Sequence, residues 1–239
     1  MKVAGALRRL AVCIAGLAGG GCMTSHALLQ TAHTQPAGQW RIKAGVAGVF
    51  NAIDGSGGRS LATNVTPEPN LRVGLSDSMD VGLAPWLGNG AGLDAKVNLL
   101  DPRSRAALAP RLMAGYALGS SATNAEGTYG VEAGLIASYR LHDRFEPYAA
   151  LSFANHWFMS KNIDSSKQLS PNQYFAPRRG YGDGLVKAAV GVDIRFASEW
   201  HYLVEYAHWF PAQNDVGDGY TLLSNDILAL SLAYCVPVR

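Results

Sequence analysis

Charged side chains recur in this chain at alternate positions of otherwise apolar stretches, and that spacing is what could do chemistry. Arg41, Lys43, Arg72, Lys96, Arg111, Arg140, Lys187 and Arg195 supply positive charge, and Asp80, Asp94, Glu132, Glu146, Asp193 and Glu205 supply negative charge. Each has an apolar residue on either side. On an extended strand, neighbours point to opposite faces, so the charges share one face and the apolar side chains the other. Turned into the interior of a small barrel, such a set must pair or be hydrated. One outcome is a salt-bridge network that plugs the lumen. The other is a narrow passive pore or ligand cavity for small solutes, and the balance of signs favours neither anions nor cations.

Nucleophilic chemistry finds little to work with. His156 with Ser152 or Ser160 offers a candidate pair, while His201 and His208 have no serine near them on the same face. None makes a His-x-Ser pair or has an evident orienting acid, as acyl transfer needs. His142-Asp143 reads as turn chemistry. No metal-ligand spacing or phosphate-binding glycine motif occurs, so the expectation is a protein that is not an enzyme and holds no metal or cofactor.

The elements that would carry the charges read as strands of period two. In Asn70 to Leu87, Leu71, Val73 and Leu75 alternate with Arg72 and Gly74. After Asp77-Ser78 the pattern resumes with Met79, Val81 and Leu83 against Asp80 and Gly82. The first strand spans Gln39 to Asn51, followed by a Gly, Ser and Asn-rich loop through Thr66. A strand from Leu93 to Leu99 follows the tight turn Gly88-Asn89-Gly90. Further strands are expected over Ala109 to Gly119, Tyr129 to Leu141, Phe145 to Trp157, Val186 to Phe196, Trp200 to Phe210 and Asp226 to Val236. That makes ten, although eight strands with one hairpin outside fit almost the same pattern. Their length suits the roughly 9 to 11 residues of a tilted bilayer-spanning strand. Trp40, Phe50, Tyr116, Tyr129, Tyr139, Phe145, Tyr202, Tyr206 and Tyr234 fall on the apolar face, mainly near strand ends, as interfacial aromatic belts do.

The hairpin Gly74-Leu75-Ser76-Asp77-Ser78-Met79-Asp80-Val81-Gly82-Leu83 resembles the recurrent strand-turn-strand unit of small bacterial outer-membrane β-barrel proteins. The resemblance implies an all-β fold, an antiparallel up-and-down transmembrane β-barrel lodged in the bacterial outer membrane. Connections after the second, fourth, sixth and eighth expected strands are short and those after the first, fifth, seventh and ninth long, the third alone being short on the long side, and this parity is expected to place both termini on the periplasmic side. The expected role is structural or interactive. Its partners would be outer-membrane lipid and a surface ligand met by the loop 158–183, through Tyr174, Phe175, Arg178, Arg179 and Tyr181. The alternative is a periplasmic lipocalin-like binding barrel with an apolar interior, in which the two faces exchange roles.

The N-terminus carries an address. Lys2, Arg8 and Arg9 precede an apolar run from Leu10 to Leu17 that is too short to span a bilayer. Residues 1–27 are therefore expected to be a signal peptide. Gly19-Gly20-Gly21-Cys22 resembles a lipoprotein signal with lipidation at Cys22, and Ser25-His26-Ala27 offers ordinary cleavage instead. Residues 28–38 read as a periplasmic tether and 39–239 as the barrel. Of the 3 cysteines, Cys235 alone lies clear of both the apolar run and the processing region. A net charge of +2 without any basic stripe argues against nucleic acid as a partner. The sequence leaves the oligomeric state open.

Overall fold

A computed structural model of the chain describes residues 27–55, 58–86, 90–118, 125–160, 182–211 and 221–236, and every regular element among them is a strand. In chain order these are β1 (Trp40–Gly55), β2 (Gly58–Pro67), β3 (Asn70–Ser76), β4 (Met79–Trp86), β5 (Gly90–Val97) and β6 (Ala106–Leu118). They continue with β7 (Ala125–Tyr139), β8 (Phe145–Ser160), β9 (Gly182–Arg195), β10 (Trp200–Pro211) and β11 (Thr221–Val236). From β3 onward each pairs antiparallel with the next, and β11 pairs back onto β1 from Trp40↔Val236 to Asp54↔Thr221. The sheet is a closed antiparallel barrel, its two ends joined where β11 pairs with β1.

The wall has ten staves, because β2 and β3 lie end to end against β1. The lower part of β1, Trp40–Lys43, pairs with β3, and Val46–Gly55 pairs with β2. Pro67 and Pro69 bring no N–H to the ladder, which explains the break between them. Between the two, Glu68 N–H donates to the Gly45 carbonyl at 2.8 Å and holds the register.

Two expectations fail here. The stretch through Thr66, expected as a loop, is mostly strand, with β1 continuing to Gly55 and β2 running from Gly58. Ladder hydrogen bonds to β11 and β1 stabilise it without an alternating apolar face, so composition did not reveal it. Several strands are longer than the pattern suggested, β1, β8 and β11 each reaching 16 residues, whereas β4 and β5 have 8 each, and β5 runs from Gly90, expected in a turn, to Val97, short of the expected Leu99. The segment expected to be a tether outside the barrel also lies elsewhere. From Leu28 to His33 every residue is buried, running inside the barrel and emerging at Pro36 to Gly38 before β1 begins. Its polar backbone finds partners there that a free tether would find in water.

The faces alternate as expected. Leu93 is 69% exposed and Val190 56%, whereas Asp80 and Glu205 are at 0%. The aromatics Trp40, Phe50, Tyr116, Tyr129, Tyr139, Phe145, Tyr202 and Tyr206 all lie on the outside. An interior lined by carboxylates is the reverse of the lipocalin-like alternative. Inside, small apolar residues line one sector, with Ala47, Val49, Ala189, Leu203, Ala207, Ile227, Ala229 and Ala233 packed into one cluster.

Candidate functional site in the barrel lumen

The luminal charges form a belt built by register. Arg72 on β3 pairs with Asp80 and with Asp94 on the next two strands. Asp94 also accepts from Arg111 Nε at 2.9 Å, and Arg111 Nη1 reaches Glu132 at 3.0 Å. Lys187 Nζ lies 3.1 Å from Glu132 and 5.0 Å from the centre of the Trp209 ring, a cation–π distance. Gly82 makes room for the belt, since a Cβ there would stand 2.4 Å from Asp94 Oδ1 and 2.7 Å from Arg72 Nη2. Nearer the termini, Arg41 donates to Asp193 at 2.9 Å, and Arg140 and Arg195 both reach Glu146 Oε2, at 3.3 and 3.0 Å.

All fourteen positions picked out by alternation therefore lie inside the wall or at its rim. Alternation did not reveal what fills the middle. The segment 28–38 is a plug, tied to the belt by one contact after another. Lys96 Nζ donates to the carbonyls of Thr31 and His33 at 2.7 and 2.9 Å, and Lys43 Nζ to that of Leu29 at 3.1 Å. Ala32 N–H donates to Ser138 Oγ at 3.1 Å, and Gln35 N–H to Asp80 Oδ2 at 3.0 Å. His33 Nδ1 sits 2.6 Å from Glu146, and the N–H groups of Leu28 and Leu29 both point at Glu205. Apolar contacts add to these, with Leu29 entering the small-residue sector and Leu28 and Ala32 packing with Ala107, Ala109, Ile136 and Tyr148.

One constellation not anticipated from sequence lies beside the plug. His201 Nδ1 is 2.8 Å from Asp193 Oδ1, and its Nε2 is 3.6 Å from Cys235 Sγ. Asp, His and Cys in line are the parts of a nucleophilic triad. Here Cys235 is only 5% exposed, and Gln35 of the plug covers it with Oε1 3.7 Å from the sulfur. The sulfur is thus covered, and Asp193, His201, Cys235 and Gln35 contact one another in the closed interior. Ser152 turns into the lumen, and His208 pairs with Asp226 at 2.7 Å. Among the described residues no group of His, Cys, Asp and Glu could hold a metal ion. Cys22, the side chains of His156 and Ser160, and Tyr174, Phe175, Arg178, Arg179 and Tyr181 lie outside the described residues.

No family model and no curated protein matches this chain. Among solved structures, the attachment invasion locus protein Ail of Yersinia pestis is similar at 12% identity and a TM-score of 0.37, covering 84% of this chain and 99% of its own. An outer-membrane channel of Pseudomonas putida F1 is similar at 10% identity and a TM-score of 0.48, covering 86% and 98%. The outer-membrane protease OmpT of Escherichia coli is similar at 14% identity and 0.42, covering 87% and 100%. At such values no shared role follows, and the barrel rests on its own hydrogen-bonded closure.

Proposed function

We propose that this chain is a bacterial outer-membrane β-barrel with a structural or interaction role, held shut by its luminal ion pairs and by the plug. The observation that carries this reading is the disposition of the two faces. Large apolar side chains cover the outside from β2 to β11, while the charges turn inward and meet partners there. Exposed to water, so continuous an apolar surface is a liability, and lipid removes it. Aromatic contacts at the terminal end of the wall suit a headgroup-level girdle. Trp200 packs against Tyr234 at 4.8 Å and against Phe196 at 6.5 Å between ring centres. The turns 77–78, 140–144 and 196–199 share that end with both termini, and the longest connection joins β8 to β9 at the other, which favours termini in the periplasm. The expected loop 158–183 gives up its ends to β8, which runs to Ser160, and to β9, which starts at Gly182, so recognition of a surface ligand would fall to residues 161–181 between them.

Gel mobility of protein from washed outer membranes, with and without boiling in SDS, tests the reading. A faster unboiled band is expected from a detergent-resistant closed barrel, together with silence in a planar bilayer. Release into the soluble fraction with no shift on heating would overturn the membrane reading, and steady conductance would overturn the closed lumen.

A further inference from the structure

Glu205 differs from Asp80, Asp94, Glu132, Glu146 and Asp193 in its partners. Each of those carboxylates has a Lys, Arg or His side chain within 4.0 Å, whereas among the described residues Glu205 has none. It is nonetheless fully buried. Three donors converge on it: Leu28 N–H at 2.7 Å, Leu29 N–H at 2.5 Å and Tyr148 O–H at 2.8 Å. Leu29 adopts a φ of 43°, a left-handed conformation unusual for so bulky a residue. Successive N–H groups brought together by such a residue form a concave anion-binding nest. The nest supplies hydrogen bonds but no net charge, and a buried carboxylate needs one.

We propose that the chain is cut between Ala27 and Leu28, and that the ammonium released on Leu28 is the countercharge of Glu205. The cut is a hydrolysis by a signal-sequence endopeptidase. Water adds across the peptide bond, its oxygen going to the Ala27 carboxyl group, and the Leu28 amine takes up a proton. Ser25 and Ala27 place small residues where such an endopeptidase requires them. Leu28 is also the first buried residue of the plug, so the new terminus lies against a carboxylate that feels Lys43 and Arg111 only from beyond 4.0 Å. Lipidation at Cys22 would instead keep Cys22 to Ala27 ahead of Leu28, whose nitrogen would stay a neutral amide. The mature terminus is thus a docked group that completes the closure of the lumen, whether or not the wall is surrounded by lipid.

N-terminal sequencing and intact mass of protein purified from the cell envelope test the cut. A chain beginning at Leu28 with a free amine is expected, and one beginning at an acylated Cys22, or at any other residue, overturns the proposal. Acetic anhydride then tests the docking, read by peptide mass spectrometry. The Leu28 α-amine should escape acetylation in the folded barrel and react after unfolding, and labelling at equal rates in both states would overturn the docking. In Glu205→Gln, which keeps the size and one acceptor oxygen, that protection should be lost while the heat-modifiable band persists. Protection equal to that of the native chain would count against the ion pair. Should this variant fail to fold, the native chain's own labelling decides.

Discussion

Lys96 Nζ reaches from β5 to the carbonyl of Thr31 at 2.7 Å, so a cation of the wall is bonded to the backbone of the segment that fills the barrel. It also bonds to the His33 carbonyl and lies 3.6 Å from Asp80. One side chain therefore joins plug, belt and wall. Replacing it by Met keeps the volume but leaves Asp80 short of positive charge and two buried carbonyls without their donor. Removing one member of a buried pair costs about 3 to 5 kcal/mol. Lys96→Met should lower the urea midpoint of the refolded barrel accordingly, and a midpoint within error of the native one would show that the plug is held elsewhere.

Deleting Leu28 to Pro36 from the mature chain should open the lumen. The wall pairs do not depend on the segment, since Arg72, Asp94, Arg111, Glu132 and Lys187 remain linked to one another. Glu205, Lys96 and Lys43 would lose their plug partners and require water in their place. The expected outcome is small-ion conductance in planar bilayers from a barrel that still shifts on heating. A silent deletion variant would mean that the wall side chains alone close the lumen.

The plug leaves the barrel over Gly74, where a Cβ would stand 2.1 Å from the Pro36 carbonyl oxygen and 2.4 Å from that of Gln35. Those are backbone atoms, which cannot swing aside as a side chain can. Ala37 bridges to Gly74 in parallel, and Gly38 N–H donates to the Gly74 carbonyl at 2.9 Å. Gly74→Val should displace the plug exit while leaving every luminal charge in place, at about 1 to 3 kcal/mol of the kind that overpacking costs. Faster proteolysis between Gln35 and Gln39 would report it. Unchanged proteolysis would mean that the wall yields instead.

Val190 stands outward near the middle of β9, between Ala189 and Gly191, which face the lumen side of the wall. In the proposed outer-membrane setting an arginine there would meet lipid, at about 2 to 4 kcal/mol at the bilayer midplane. Val190→Arg should reduce the heat-modifiable band in washed outer membranes. A variant inserted as well as the native chain would argue for a wall surrounded by water.

How much of this could be read in advance follows from the range of each contact. Alternation is local, so Arg72, Asp80, Lys187 and Asp193 could be assigned to the interior from their immediate neighbours. The ends of β1 and β2 could not, because polar residues held by ladder bonds leave no periodic signal. The plug was hidden for a different reason. Leu28, Leu29 and Ala32 are mixed with Gln30, Thr31 and His33, as in an ordinary tether, and their partners are remote: Glu205 stands 177 residues from Leu28 and Lys96 stands 65 from Thr31. Cys235 and His201 meet only through the β10–β11 register, in which His201 opposes Ala233. Fourteen charged positions marked a polar interior, but nothing in their spacing distinguished a lumen closed by side chains from one closed by a segment of the chain.

The same register gives a probe of the plug. Once the chain is cut after Ala27, Cys235 is its sole cysteine, and it is buried between His201 and Gln35. A maleimide must displace the plug to reach Sγ, so the rate of alkylation in the folded barrel reports how often the plug leaves its seat. Native protein should react slowly, the deletion variant and Gly74→Val faster, and Gln35→Ala at a rate between them, because that substitution uncovers the sulfur without removing the plug. Urea below the unfolding midpoint should speed labelling of native protein only if the plug detaches as a unit before the wall opens. If all of these variants are alkylated at the native rate, the thiol is shielded by the wall, and the plug does not gate access to this end of the lumen.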